Sequence, residues 1–352
     1  MRMKRLESLR EAMAEKGLDA FFLGQRENIL YLTGFSGSTA GLYVTEENAF
    51  LLVDSRYEEQ AKAECPDADV VLVSRPYEIG KIADGEKRVG FEEDVLTYEV
   101  YHLLRDEAAD AEFVPAAALP RQLRTIKDED ELVQIETAVK IADSAFHHIL
   151  PFIKEGVYEI DIANELDFYM RKQGAGGPSF DFIVAGGERS ALPHGVAGKN
   201  KLKAHEPVLM DYGCVYQHYC SDMTRTVFLG DPGEEARALY QIVKEGQKRG
   251  HANCLCGKPI SFAETAVRSY FSSCEVESFF GHSLGHGVGL EIHEAPAVNA
   301  KNEERFRNGM VYTVEPGVYI PGACGVRIED MAVMTYQGPR ILTESPKELI
   351  IL

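Results

Sequence analysis

Long apolar runs are missing from this sequence: no stretch approaches the roughly 18 residues that a membrane span needs. A membrane partner is therefore not expected. The opening MRMKRLESLREAMAEKGLDA mixes both charge signs through an amphipathic helical pattern and holds no apolar stretch suited to a signal peptide, so the expected location is the cytoplasm. Runs of lysine and arginine are also missing, and 56 acidic residues against 37 basic ones give a formal net charge of −19. Such a chain repels a phosphate backbone, which argues against a nucleic-acid partner. Cysteines are few, seven in all, odd in number and scattered, so reduced thiols are expected rather than a disulfide framework. Cys254 and Cys256 form CLC, which lacks the CxxC spacing of a zinc knuckle. There is no short-period repeat and no low-complexity tract.

What is present is a chain of 352 residues, long enough for two domains. The first third alternates short apolar runs (DAFFLG, GLYVT, AFLLV, DVVLV, RVGF) with helical patterns at SRYEEQAKAE and TYEVYHLLRDEA, which predicts an α/β domain over residues 1–124. Pro120 ends one segment, and Leu132, Ile135, Val139, Ala142 and Phe146 then recur at helical spacing. Residues 125–352 continue with the helical DIANELDFYMRKQG and the Gly/Pro-rich GAGGPSFDFIVAGGERSALPHG, expected to be a loop. Helices set apart from two antiparallel hairpins predict an α+β second domain.

Those hairpins carry the acids of interest. In residues 207–230, a turn between Tyr216 and Gln217 places Asp211 opposite Asp222. In residues 310–336, a turn at Pro321-Gly322-Ala323 places Glu315 opposite Glu329. Carboxylates facing each other destabilise a sheet unless a cation lies between them. The stretch GHSLGHGVGLEIHE, residues 281–294, adds His282, His286 and His293. Its four glycines make a helix costly at about 1 kcal/mol each, so an extended chain with His282 and His286 on one face is expected. HEAPA offers no second histidine four residues on, which excludes the HExxH zinc-protease motif. Four oxygen-donor acids with one imidazole suit Mn²⁺, with Co²⁺ or Zn²⁺ as alternatives, and two such ions bridged by carboxylates make a hydrolase site.

The ordered set DYG, SDMTRT, GHGVGLEIHE, VEPGVY and VRIED resembles the pita-bread dinuclear metallopeptidases, the family of aminopeptidase P, prolidase, methionine aminopeptidase and creatinase. The first third resembles the creatinase-type domain that precedes the catalytic domain in Xaa-Pro peptidases. Its NILYLTGFSGS and LLVDSRYEEQA are closer to aminopeptidase P, and LRTIKDEDEL matches the family's approach to its catalytic domain. The resemblance implies an α/β creatinase-type domain followed by an α+β pita-bread catalytic domain. It also implies that Asp211, Asp222, His286, Glu315 and Glu329 ligate two divalent metal ions, with Asp222 and Glu329 bridging. Glu315 would further help to activate the bridging hydroxide. His194 in ALPHG would contact substrate near the scissile bond, and His282 and His293 would orient it and handle protons.

The implied activity is removal of the N-terminal residue from peptides with proline second, by attack of the metal-bridging hydroxide. The alternatives are an Xaa-Pro dipeptidase and a catalytically inactive peptide-binding member of the fold. Ala297 stands where many dipeptide-cleaving relatives carry an arginine that holds the substrate carboxylate, which weakens the strict dipeptidase reading unless Arg305 or Arg307 substitutes. HEP at 205–207 replaces a Gly-Asp pair common in relatives, a change expected to be neutral. Arg327 is expected to orient the carboxylates from behind. A homodimer is the expectation from resemblance.

Overall fold

The computed structural model describes residues 2–352, which fall into two compact units, one ending at Arg124 and the other running Thr125–Leu352. The first unit is α/β, built on one mixed sheet. Its strands are β1 (Ala20–Leu23), β2 (Gly41–Thr45), β3 (Ala49–Val53), β4 (Asp69–Leu72), β5 (Arg88–Phe91) and β6 (Glu112–Pro115), in the order β4-β3-β2-β1-β5-β6. Apolar runs as short as AFFL form strands because β1 is buried along its whole length at the centre of the sheet. The helices are α1 (Arg2–Glu15), α2 (Arg26–Thr33), α3 (Glu58–Glu64), α4 (Tyr98–Glu107) and α5 (Ala118–Arg124). The expectation omitted β6, α2 and α5, whose apolar patterns are only a few residues long; Pro120, expected to end a segment, instead lies in the first turn of α5, where its missing N–H breaks no helical hydrogen bond.

The second unit opens with α6 (Glu129–Ile149), and its start is written in the sequence. Asp128 caps the helix by accepting from Glu131 N, while the Glu131 side chain accepts from Asp128 N, both at 3.0 Å. Ile135, Val139, Ala142 and Phe146 are buried as their spacing predicts, and Leu132 is half-buried. Next come α7 (Glu159–Lys172), β7 (Gly177–Pro178), β8 (Ile183–Gly186), β9 (Glu206–Tyr212), β10 (Cys214–Tyr216), β11 (Tyr219–Cys220) and β12 (Met223–Leu229). Part of the Gly/Pro-rich segment expected to be loop is thus strand: β8 pairs with β9, and β9 with β12. Helices α8 (Gly233–Asn253) and α9 (Ser261–Ser273) follow. The last strands are β13 (Gly285–Gly287), β14 (Glu294–Val298), β15 (Val311–Val314), β16 (Gly317–Tyr319), β17 (Gly325–Arg327), β18 (Asp330–Thr335) and β19 (Gly338–Ile341).

Two large cores hold this unit, beside a small cluster of Ile183, Ala185, Leu209 and Tyr319. Helices α6 and α7 bury Phe146, Ile162 and Leu166 against Val184, Val208 and Tyr212 of the first sheet. Helices α8 and α9 bury Val243, Val267 and Phe271 against Tyr312, Val314 and Ala332 of the second, ordered β14-β13-β15-β18-β19. Each helix layer covers one sheet face and leaves the other face to the site. No helix among the described residues is long and apolar enough to cross a membrane.

Candidate metal centre

The first hairpin differs from its expected register. Gln217 and His218 both adopt positive φ, 46° and 74°, so the turn is a two-residue one centred between them. Tyr216 pairs with Tyr219, and Asp211 lies opposite Thr224 rather than Asp222. Asp222 is consequently a diagonal neighbour of Asp211 on the same face, still within side-chain reach. Gly213 makes the crossing possible, because a Cβ there would stand 1.8 Å from Ser221 O. The second hairpin keeps its expected register in both ladders, Val314 with Asp330 and Gly317 with Arg327. Glu315 and Glu329 fall in the break between those ladders, where Glu315 N donates to Leu284 O and Glu329 N to Thr224 O. The ladder break thus frees the two acids' backbone to join both neighbouring segments.

Of the three histidines in 281–294, only His286 lies in a strand, contrary to the single extended face expected for His282 and His286. Strand β13 approaches β15 so closely that a Cβ on Gly285 would sit 2.2 Å from Thr313 O. That closeness brings His286 Nε2 to 3.5 Å from both Asp222 Oδ2 and Glu315 Oε1. Its other nitrogen, Nδ1, lies 3.0 Å from Gly287 O. A carbonyl can only accept, so Nδ1 carries the proton and the Nε2 lone pair points among the carboxylates. Burial, and then the neighbouring His293, push the His286 pKa down to about 4. The ring is neutral near pH 7.

The carboxylates are underpaired. Asp211 Oδ1, Asp222 Oδ1 and Glu329 Oε1 are buried and have no hydrogen-bond partner. Arg327, also buried, is the guanidinium among them: it donates to Asp211 Oδ2, to Thr224 Oγ1 at 3.0 Å and to Tyr319 OH at 2.7 Å. Thr224 in turn donates to Glu329 Oε2 at 2.7 Å. When all four carboxylates are ionised, one guanidinium and a neutral imidazole leave three negative charges uncompensated. Burial first, and mutual repulsion second, raise Asp222 and Glu329 well above the carboxylate range. Burial also pushes Glu315 up to about 8. Orphaned oxygens and excess negative charge are what a cation would satisfy, and donor atoms of Asp222, His286 and Glu329 lie within 4.8 Å of one another. The residues present fit a metal.

All five expected ligands, with His194, His282 and His293, line one cavity of about 520 Å³. His194 and His293 are exposed there, with the His293 ring 4.3 Å from that of His286. His282 Nδ1 faces Ser283 O at 2.7 Å, so its Nε2 accepts from Tyr319 OH at 2.9 Å. Burial, then Arg327, lower the His282 pKa to about 4. Tyr319 and Thr224 were missed from sequence, since a hydroxyl in a strand carries no signal of the side chains it will meet. Ala297 lines the cavity, but Arg305 and Arg307 do not, and Arg305 instead donates to Gly257 O. The substitute cation considered for Ala297 is therefore not provided by those two residues.

With a cation-hungry carboxylate cluster set between two antiparallel sheets, the comparisons with known proteins agree. Residues 133–336 match metallopeptidase family M24, and residues 5–126 match the creatinase/prolidase N-terminal domain. The chain belongs to this metallopeptidase family, a creatinase-type domain preceding a pita-bread catalytic domain. Among solved structures, an Xaa-Pro dipeptidase from Bacillus anthracis is 42% identical, with a TM-score of 0.96 and 100% of both chains covered. An X-Pro aminopeptidase from Thermotoga maritima is 35% identical, with a TM-score of 0.89 over 96% of this chain and 98% of that one. An Xaa-Pro dipeptidase of Pyrococcus horikoshii is 37% identical over 99% of each sequence.

Proposed function

We propose that this protein is a dinuclear-metal peptidase that hydrolyses Xaa-Pro dipeptides. The hydrolase part rests on one observation: three buried carboxylate oxygens without partners converge with the His286 lone pair on a single cavity. The dipeptidase part rests on relatives of that name matched over nearly the whole chain, which outweigh the aminopeptidase reading first drawn from the sequence. Asp211, Asp222, His286, Glu315 and Glu329 would hold two divalent ions, Mn²⁺ in preference to Co²⁺ or Zn²⁺. When bound, such ions lower the pKa of a water and polarise a carbonyl. With all four carboxylates ionised, the three uncompensated charges exceed what one divalent ion neutralises, which supports a pair.

The chain's own residues supply the rest. Glu315 accepts and returns a proton at its carboxylate. His194, exposed into the cavity, contacts the substrate near the scissile bond, and His293, also exposed there, orients the substrate and handles protons together with His282. His282 stays neutral and is oriented by Tyr319. Proline lacks an N–H, so its ring is recognised by shape, and Phe180, Ile183, Val196 and Ile292 give the cavity an apolar wall.

The aminopeptidase is kept as a second reading because Ala297 favours it. Among the described residues Arg327 is the one lysine or arginine lining the cavity, and its donors are engaged, so none of them offers such a side chain to a dipeptide's carboxylate there. A homodimer acting in the cytoplasm belongs to the same proposal and is checked by sedimentation and fractionation. The deciding experiment is an initial-rate assay of metal-stripped protein, with and without Mn²⁺, on an Xaa-Pro dipeptide, an Xaa-Pro-Pro tripeptide and a Met-Ala-Ser control. Metal-dependent cleavage favouring the dipeptide supports the proposal. Preference for the tripeptide makes it an aminopeptidase. No cleavage of either with Mn²⁺, Co²⁺ or Zn²⁺ sinks the proline assignment and favours an inactive binding protein.

A further inference from the structure

His194 rides on a segment that leaves β8 at Gly186 and returns at Gly198, and both ends of that segment meet one side chain. Glu159, in the first turn of α7, is 1% exposed. Its Oε1 accepts from Gly186 N at 3.0 Å, and its Oε2 accepts from Gly198 N and Asn200 Nδ2, both at 3.2 Å. Arg189 Nε stands 3.1 Å from each oxygen, and Arg189 NH2 donates onward to Val196 O at 2.9 Å. The backbone of the same helical turn adds Glu159 N to Asn200 O at 2.9 Å and Ile160 N to Gly198 O at 3.0 Å. Between these closures the segment presents Pro193, His194 and Val196 to the cavity. Its far side is tied by Arg327, which donates to Pro193 O at 3.2 Å.

We infer that Glu159 is a positioning residue for His194, stapling both ends of the segment so that the imidazole stands at a set height in the cavity. Its effect on catalysis rests on the peptidase reading above. A carboxylate has two acceptor oxygens, and here one serves each end. Glutamine at this position keeps the size but has one acceptor oxygen, so it can hold only one end at a time. A misplacement of about 1 Å in a substrate-contacting group can cost about 100-fold in rate.

The test compares wild type, Glu159→Gln, His194→Ala and the double variant by hydrogen exchange and by initial rates on an Xaa-Pro dipeptide. The expected result is faster amide exchange confined to residues 186–200 in Glu159→Gln, with metal content unchanged. Its kcat/KM should fall about 10- to 100-fold. That loss should vanish in the His194→Ala background, because a residue acting through His194 has nothing left to position. Unchanged exchange, or an equal loss with and without His194, would overturn the inference. If wild type cleaves no Xaa-Pro peptide, the peptidase reading fails while the exchange pattern still decides the staple. Should Glu159→Gln not fold, Arg189→Met, which removes the strut between the two ends, is judged by the same two readouts.

Discussion

Thr224 Oγ1 accepts from Arg327 Nε at 3.0 Å and donates to Glu329 Oε2 at 2.7 Å, so one hydroxyl relays between a guanidinium and a carboxylate. Thr224→Val keeps the shape and removes the relay. Metal affinity is expected to fall about 10- to 100-fold, as for other groups that orient a ligand from behind. Calorimetric titration with Mn²⁺ checks this, and an unchanged affinity would mean that Glu329 is oriented without Thr224. At this scale the acids and histidines were legible because their residue types are costly to bury and recur in a recognisable order. Thr224 and Tyr319 were not, because Thr224 bonds Arg327 and Glu329, 103 and 105 residues away, and Tyr319 bonds His282, 37 residues away. Glu159 was illegible for the same reason: its four donors come from residues 186–200.

A turn one residue away from its expected position slid the first hairpin by two. GlnHis lacks the Asn-Gly signature of a turn with two positive φ values, so nothing local in the sequence announced it. The site survives the slip because side chains alternate with period two, which keeps Asp211 and Asp222 on one face. Close approach at Gly213 is the structural cost of that register. Gly213→Ala should destabilise the protein by about 1 to 3 kcal/mol through its clash with the Ser221 carbonyl, and should also lower bound metal. Gly281→Ala is the matched control: a Cβ there meets nothing within 4 Å, so its stability should stay within about 0.5 kcal/mol of wild type. Urea denaturation and elemental analysis of the two variants separate the outcomes. Equal stabilities would show that the hairpin yields at Gly213 without loss.

Charge in the centre links folding of the whole molecule to pH and metal. Burial pushes Glu315 from 4.5 up to about 8, and Asp222 and Glu329 are raised in the same direction. A folded pKa above the unfolded one gives stability that is complete below the unfolded value and lost as pH rises through the folded value. His282 and His286, lowered from 6.5 to about 4, act below about 6.5, where their stabilising effect is lost as pH falls. The carboxylates therefore dominate between about 6.5 and 8, and the melting temperature of metal-free protein should drop across that window. Added Mn²⁺ should raise it, and most at the upper end, because a bound cation stabilises the ionised carboxylates. Thermal denaturation with chelator and with Mn²⁺ tests both; a metal-free protein that gains stability with pH, or ignores the ion, would not contain this centre. By itself the sequence determined the two fold classes, the helical spacing from Leu132 to Phe146, the second hairpin's register and the acids and histidines that the structure gathers at one cavity. These depend on short-range patterns of burial and turn geometry. Only the tertiary structure decided the first hairpin's register, the neutral tautomers of His282 and His286, the links through Thr224 and Tyr319, and the side chain that holds the His194 segment. The links and the hold on the His194 segment depend on contacts between residues tens of positions apart, and the neutral tautomers on burial together with the next residue's carbonyl, none of which a local pattern encodes.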